Sequence, residues 1–159
     1  AGAQFSLGYT YTDAKLTQDV FAPTGGATPV ALDGARLPGA PKHAVTIALN
    51  HSHTLANGVL LTGRVNGYYQ SGTRNAVTTS PRINVGLPPF QIWNASATAT
   101  FDRVSATLFV KNIFNADGVT GRFTEAYMGT APAVGYYGNG AKDLITLPRT
   151  IGLALDYAF

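Results

Sequence analysis

Cysteine is missing from the 159 residues, so within them no disulfide and no thiolate metal site can form. Charge is scarce as well, because charged residues make up 12% of the chain, whereas an ordinary soluble domain has about 25%. The sequence also lacks any apolar run of about 18 residues, the length of a membrane-spanning helix. The eleven Lys and Arg residues are scattered and form no basic stripe, so we expect no nucleic-acid partner.

What the sequence does contain is alternation with a period of two residues. Apolar residues alternate with polar or small ones, which is typical of antiparallel strands with two unlike faces. The segments that show this pattern are 3–12, 43–53, 59–70, 91–101, 104–112 and the final stretch RTIGLALDYAF. We therefore predict an all-β fold. Phe109 is an exception, because it breaks the polar face of its segment.

The connections between these segments alternate between short and long. TLANG and DR are tight, whereas 13–42, 71–90 and 113–147 are long and rich in Gly, Pro, Thr and Asn. Transmembrane β-barrels have short turns on the periplasmic side and long loops outside the cell. Each segment is also close to the roughly 9–11 residues that cross a bilayer at a tilt. We predict an antiparallel up-and-down transmembrane β-barrel segment of about six strands, and we call the end with the long loops the outer end.

Aromatic residues on the apolar faces fall at the strand ends, where membrane interfaces favour them. Those at the predicted outer ends are Tyr9, Tyr11, Tyr69, Trp93 and Phe114, and those at the inner ends are Phe5, Phe101, Tyr157 and Phe159. The residues predicted to face lipid between them include Leu7, Ile47, Leu61, Ala97, Leu108 and Leu155. A soluble β-sandwich binding module also alternates. It gives no reason, however, for end-placed aromatics or for long loops on one edge only.

Six strands are too few for a closed barrel, because single-chain outer-membrane barrels begin at about eight. An open sheet would leave unpaired backbone groups facing lipid. We therefore expect residues 1–159 to be part of a larger barrel, or else a protomer that closes by oligomerising. A barrel enzyme or an autotransporter translocator also stays open, but no Ser, His and acid set suggests catalysis. We expect neither an enzyme nor a cofactor.

Three stretches, taken in order, resemble one family. LPGAPKHAVTIALNH resembles the Leu-Pro-x-x-Pro-Lys-His entry to a late barrel strand of TonB-dependent receptors, LFVKNIFNADG resembles their next-to-last strand, and LPRTIGLALDYAF resembles their closing strand. The resemblance implies that 1–159 is the C-terminal part of a barrel of about 22 strands, without its plug domain and earlier strands. It also implies the outer membrane of a Gram-negative bacterium, with the surrounding lipid as one partner.

The same resemblance implies energised uptake of a scarce nutrient. TonB would act through the plug region, and the cargo is most often a ferric siderophore, with cobalamin, haem and saccharides as other cases. The final alternation resembles the signal by which the barrel-assembly machinery recognises its substrates. The residues that would carry that signal are Ile151, Leu153, Leu155, Tyr157 and Phe159.

Candidate substrate contacts lie in the third long loop and on segment 59–70. The loop residues, a mixture suited to an aromatic or anionic ligand, are Arg122, Phe123, Tyr127, Tyr136 and Tyr137. Arg64 and Tyr68 should line the lumen, and packing within the loop or hydrogen bonds to a plug or water are the alternatives. His51 and His53 share one face without a third ligand nearby, so we predict polar interface residues there rather than a metal site.

Overall fold

The structure, a computed structural model, describes residues 2–81, 83–123 and 142–159. Six long strands are β1 (Gly2–Tyr11), β2 (His43–Thr54), β3 (Leu60–Gln70), β6 (Phe90–Phe101), β7 (Val104–Lys111) and β10 (Thr150–Tyr157). Four short strands are β4 (Thr73–Arg74), β5 (Gly86–Leu87), β8 (Val119–Phe123) and β9 (Lys142–Ile145). The described part of the chain has no helix long and apolar enough to cross a membrane. The predicted all-β fold is confirmed.

The six long strands form one antiparallel sheet in the order β1-β2-β3-β6-β7-β10. Each long strand therefore lies beside the next long strand in the sequence, as in an up-and-down barrel wall. The two short connections run between β2 and β3 and between β6 and β7, so they lie at the same end of the sheet. The predicted topology is confirmed.

The strand register keeps each face of the sheet uniform. Residues directly opposite each other in an antiparallel pair lie on the same face. One row of paired residues on the apolar face is Phe5, Leu49, Val65, Ala95, Val110 and Ile151. The neighbouring row on the polar face is Gln4, Asn50, Arg64, Ser96, Phe109 and Gly152. Because a one-residue slip would exchange the faces, the alternation fixes the register of every ladder.

The two inner turns have the backbone chemistry that tight reversals need. In the first, the Leu55 amide donates to the Val59 carbonyl at 2.8 Å, and Gly58 has a positive φ of 85°. In the second, Asp102 itself has a φ of 52°, a left-handed conformation that aspartate tolerates better than most residues. Both turns reverse the chain within a few residues and set the register of the strands they join.

The sheet is a single layer with little core. In the described residues the buried hydrophobic side chains are Ala31, Leu87 and Val119, all in the outer connections. On the apolar face, Leu7 is 63% exposed and Leu155 is 71% exposed. The free edges of β1 and β10 pair with no further strand in the described ranges, and the sheet is open. A soluble sandwich would cover such a face with a second sheet, and the described residues supply none.

The long outer connections contain more structure than the sequence predicted. Strands β4 and β5 pair within the second connection, and β8 and β9 pair within the third, which the sequence analysis described only as long loops. The connections also bond to one another. The Thr79 amide donates to the Val30 carbonyl at 2.9 Å, and the Gly39 amide donates to the Arg74 carbonyl at 3.0 Å. Hydrogen bonds therefore join the first two outer connections to each other.

Several predicted strand ends were wrong by one or two residues. The segment expected over 104–112 stops at Lys111, because Asn112 has a left-handed φ of 51° and cannot continue the ladder. Val59, predicted as the start of the third segment, instead closes the inner turn. The final strand ends at Tyr157 rather than at the last residue.

Candidate functional site

The polar face of the sheet has a shallow depression of about 420 Å³. Its polar lining residues, drawn from four neighbouring strands, are Asn50, Arg64, Asn66, Asn94, Ser96 and Lys111. Arg64 and Lys111 carry its charge, and neither forms an ion pair within the described ranges. Two unpaired cations among neutral amides and a hydroxyl favour an anionic group. The expected place of Arg64 on the polar face is confirmed, and its predicted contact with substrate stays a prediction.

Phe109, the residue that breaks the polar alternation, covers a glycine. A Cβ atom added at its partner Gly152 would lie 2.3 Å from the Phe109 Cζ atom, so the ring lies directly over the glycine backbone. The Lys111 Nζ atom is 5.5 Å from the centre of the same ring, within the range of a cation–π contact. Phe109 therefore fills the space left by Gly152 and helps to hold Lys111 above the depression.

Tyr68 lies on the polar face nearer the outer end. Its hydroxyl donates to the Gln70 Oε1 atom at 3.0 Å, and its ring meets Phe90 edge-on at 6.3 Å between centroids. Phe90 in turn lies against Gly118, because a Cβ atom there would be 2.7 Å from the ring. Tyr68 therefore lies on the predicted polar face, and its place in a lumen stays a prediction. Its hydroxyl proton is already used within the strand, so a ligand would meet the ring and the oxygen lone pairs.

Arg122 and Phe123 lie on β8, in the hairpin that β8 makes with β9. The Arg122 guanidinium forms a bidentate salt bridge with the Asp143 carboxylate. Its Nη2 atom donates to Oδ2 at 2.8 Å, and its Nε atom donates to Oδ1. This hydrogen bonding raises the pKa of Arg122 and lowers the pKa of Asp143. The Arg122 amide also donates to the Asn75 side-chain oxygen at 2.8 Å, which ties the third outer connection to the second.

The remaining predicted ligand contacts, Tyr127, Tyr136 and Tyr137, lie outside the described residues. Their predicted contact with a ligand stays a prediction. The β8–β9 ladder ends at the pair Phe123 and Lys142.

His51 and His53 lie on the apolar face near the inner end of β2, opposite Gly63 and Leu61. Within the described ranges, no group of three or more metal-binding side chains includes them. The interpretation of both residues as polar groups at a membrane interface stays a prediction.

The final strand places Ile151, Leu153, Leu155 and Tyr157 on the apolar face, in register with β7. Beyond the ladder, the Ala158 amide donates to the Arg103 carbonyl at 2.9 Å. The Phe159 ring meets Tyr157 edge-on at 5.3 Å, and Phe159 is otherwise exposed. The predicted face is confirmed, and recognition by the assembly machinery stays a prediction.

Asn112 and Asn115 belong to the motif LFVKNIFNADG, but the sequence analysis did not predict their hydrogen bonds to the segment before β10. Asn112 is 3% exposed; its side chain donates to the Leu147 and Ala116 carbonyls at 2.9 and 3.0 Å and accepts from the Ala116 amide. Asn115 accepts from the Arg149 amide at 2.8 Å. Both have a φ of 51°, a conformation that asparagine adopts more readily than most residues. These hydrogen bonds connect the end of β7 to the residues just before β10. The signal that could have revealed them is a pair of asparagines three residues apart directly after a strand.

Comparison with known families gives one match. The model of the family described as TonB dependent receptor-like, beta-barrel matches residues 2–113, well over half of the chain. No curated protein and no solved structure matches the chain. The matched region contains β1 to β7, together with Arg64, Tyr68 and Lys111.

Proposed function

The chain belongs to the TonB-dependent receptor β-barrel family, and on that premise we propose that it forms the C-terminal wall of a receptor that imports a ferric siderophore, energised through TonB. Family membership is the observation that carries the proposal. Proteins of this family are outer-membrane receptors of Gram-negative bacteria and not a class of enzyme. The chain is accordingly an outer-membrane β-barrel portion, with its apolar face toward lipid and its polar face toward the lumen.

Two features support the proposed place of the chain in the barrel. The sheet has six long strands with free edges at β1 and β10, and unpaired edges are costly in a bilayer. The barrel therefore needs further strands to close it. The resemblance of β7 and β10 to the last two strands of the family favours a position at the C-terminal end, where β10 would pair with the first strand of the barrel.

The lumenal face supports an anionic cargo. Arg64 and Lys111 share one depression, lack acidic partners within the described ranges and are surrounded by side chains that can donate hydrogen bonds. Ferric complexes of catecholates are anionic and rich in oxygen acceptors, so both cations could contact such a complex on its way through the barrel. Guanidinium groups suit these acceptors because they donate several hydrogen bonds in one plane.

Binding of defined iron complexes by the full-length receptor tests the cargo. The variant Arg64→Gln/Lys111→Gln removes both charges and keeps hydrogen-bonding side chains. We expect it to bind a ferric tris-catecholate about tenfold or more weakly, the scale of losing one charge-assisted hydrogen bond. The control Lys15→Gln/Arg103→Gln removes the same charge away from the depression and from the third outer connection, and it should bind normally. Equal losses in the two variants, or normal binding by both, would contradict the role of the depression.

The role of the third outer connection needs a separate test. Deleting 124–141 and joining Phe123 to Lys142 through a short glycine linker keeps the β8–β9 hairpin, because the ladder ends at those two residues. We expect weaker ligand binding with unchanged barrel assembly, because a deletion outside the ladder leaves the described strand pairing intact. A matched deletion of 24–28 in the first connection should leave binding unchanged. Unchanged affinity after the first deletion would reduce Tyr127, Tyr136 and Tyr137 to packing residues.

A further inference from the structure

The outer ends of β1 and β2 carry an aromatic cluster on the lipid-facing side. Tyr11 and His43 are register partners, with ring centroids 5.4 Å apart. The Tyr9 hydroxyl hydrogen-bonds to the His43 Nδ1 atom at 2.9 Å. Both tyrosines are more than half exposed. The backbone amide of His43 donates to the Ser71 hydroxyl at 3.0 Å, which fixes the start of β2. The bond from Tyr9 orients the imidazole itself.

Basic side chains lie directly beyond this cluster. The backbones of Lys15 and Arg36 form an isolated antiparallel β-bridge just past the end of β1. The Lys15 Nζ atom contacts the Asp13 carboxylate at 2.8 Å. This hydrogen bond is the main cause of a lowered pKa of Asp13, and the charges of Lys15, Lys42 and Arg36 add to it. Lys42 lies beside them, because the Thr12 amide donates to the Lys42 carbonyl at 2.9 Å. The Arg36 guanidinium donates to the Ala40 and Gly72 carbonyls. Three basic residues and one carboxylate therefore lie at this end of β1 and β2, which leaves an excess of two positive charges.

We propose that this cluster, formed by Tyr9, Tyr11, Lys15, Arg36, Lys42 and His43, binds the phosphate of a lipid headgroup in the outer leaflet. The location argues for a lipid rather than a soluble anion. Tyr9 and Tyr11 continue the same face as Leu7, which borders the acyl chains, and aromatic residues of barrels lie at the level of the headgroups. A lipid bound there places its chains along β1 and β2 and its phosphate among the cations.

The aromatic residues and the cations have separate tasks in this site. Clustered basic residues attract anionic headgroups, and the excess of positive charge supplies that attraction. The tyrosine rings and hydroxyls bridge the apolar and polar parts of the lipid, as amphipathic side chains do at interfaces. With Nδ1 engaged by Tyr9, the other ring nitrogen of His43 is left for the headgroup.

Titration of the full-length receptor in detergent with dioctanoyl phosphatidic acid, followed by calorimetry, tests the proposal. The variant Lys15→Gln/Lys42→Gln should bind this lipid about tenfold or more weakly than the wild type, because two headgroup-attracting charges are lost. The control Lys142→Gln/Arg149→Gln removes equal charge from another part of the outer end and should bind normally. His43→Gln, which leaves the basic side chains in place, should also weaken binding.

Three outcomes would overturn the proposal. Equal weakening by both double variants would show attraction to net charge rather than a site. Equal affinity of the wild type for dioctanoylglycerol, which lacks the phosphate, would show that acyl chains alone are recognised. Inorganic phosphate that binds as tightly as the lipid would show a soluble-anion site. Retained heat-modifiable migration on a detergent gel confirms that each variant is folded before it is compared.

Discussion

Replacing Gly67 with alanine tests how closely Trp93 packs onto the lipid-facing side of β3. Gly67 and Trp93 are register partners, and the indole ring covers the glycine. A Cβ atom added at Gly67 would lie 2.7 Å from the Trp93 Cε3 and Cζ3 atoms. Gly63 is the matched control, because it lies on the same strand and face and an added Cβ atom there meets nothing within 4 Å.

The two substitutions differ only in the steric clash with the Trp93 ring. Glycine inside a strand is less favourable than alanine by about 0.5–1 kcal/mol because the unfolded chain has more freedom. Gly63→Ala should therefore stabilise the receptor by about that amount. Gly67→Ala gains the same term but forces the indole off the strand, and overpacking of this kind costs about 1–3 kcal/mol. We expect Gly67→Ala to be less stable than Gly63→Ala by about 1–3 kcal/mol.

The assay is urea unfolding of the full-length receptor in detergent. A double-mutant cycle isolates the contact, because Gly67→Ala in a Trp93→Ala background meets no ring and should become as favourable as Gly63→Ala. If Gly67→Ala stabilises the wild type as much as Gly63→Ala does, or if Trp93→Ala fails to relieve its cost, the close packing of the indole on β3 is refuted.

Three further predictions concern the faces, the outer hairpin and the last residue. Leu155→Arg should destabilise the receptor by about 2–4 kcal/mol and Thr98→Arg by much less, measured by urea unfolding; equal effects would contradict the assigned faces. The lowered pKa of Asp143 means that its pairing with Arg122 stabilises the hairpin above pH 3.8, the ordinary carboxyl pKa, and is lost as pH falls through the lower folded value. The protection of the β8–β9 amides, measured as their exchange rate relative to the intrinsic rate at each pH, should fall only in that acid range, and a loss of protection already near neutral pH would refute the assignment. Deleting Phe159 should reduce the amount of receptor in the outer membrane far more than detergent stability, because the residue is outside the ladder and almost fully exposed; the reverse result would make it merely structural.

The strands and their faces could be predicted because the physics that sets them is local. Alternation along β2 or β10 specifies which side chains share a face, and one face then fixes the register of the neighbours. The short inner turns left little freedom in how the strands connect. The resemblance of three stretches, taken together, added the family, which the match over residues 2–113 confirms.

The outer connections were harder to predict because their structure depends on contacts between distant residues. The bond from the Arg122 amide to Asn75 joins residues 47 positions apart, and no local pattern marks it. The pairing of Arg122 with Asp143 likewise depends on the β8–β9 register. Phe109 interrupts the polar residues of β7, and no neighbour in the sequence explains it. The explanation is its partner Gly152 on β10, because the Phe109 ring fills the space above that glycine.

The central claim, that this sheet is a barrel wall with one face toward lipid and the other toward the lumen, is tested most directly by spin labels along β2. Because residues 1–159 contain no cysteine, single cysteines introduced at positions 45 to 50 each label one site in this region. In the receptor reconstituted in a bilayer, collision with oxygen should be high at positions 45, 47 and 49, and collision with a water-soluble nickel complex should be higher at 46, 48 and 50. Accessibility without a period of two, or with the opposite phase, would contradict the account.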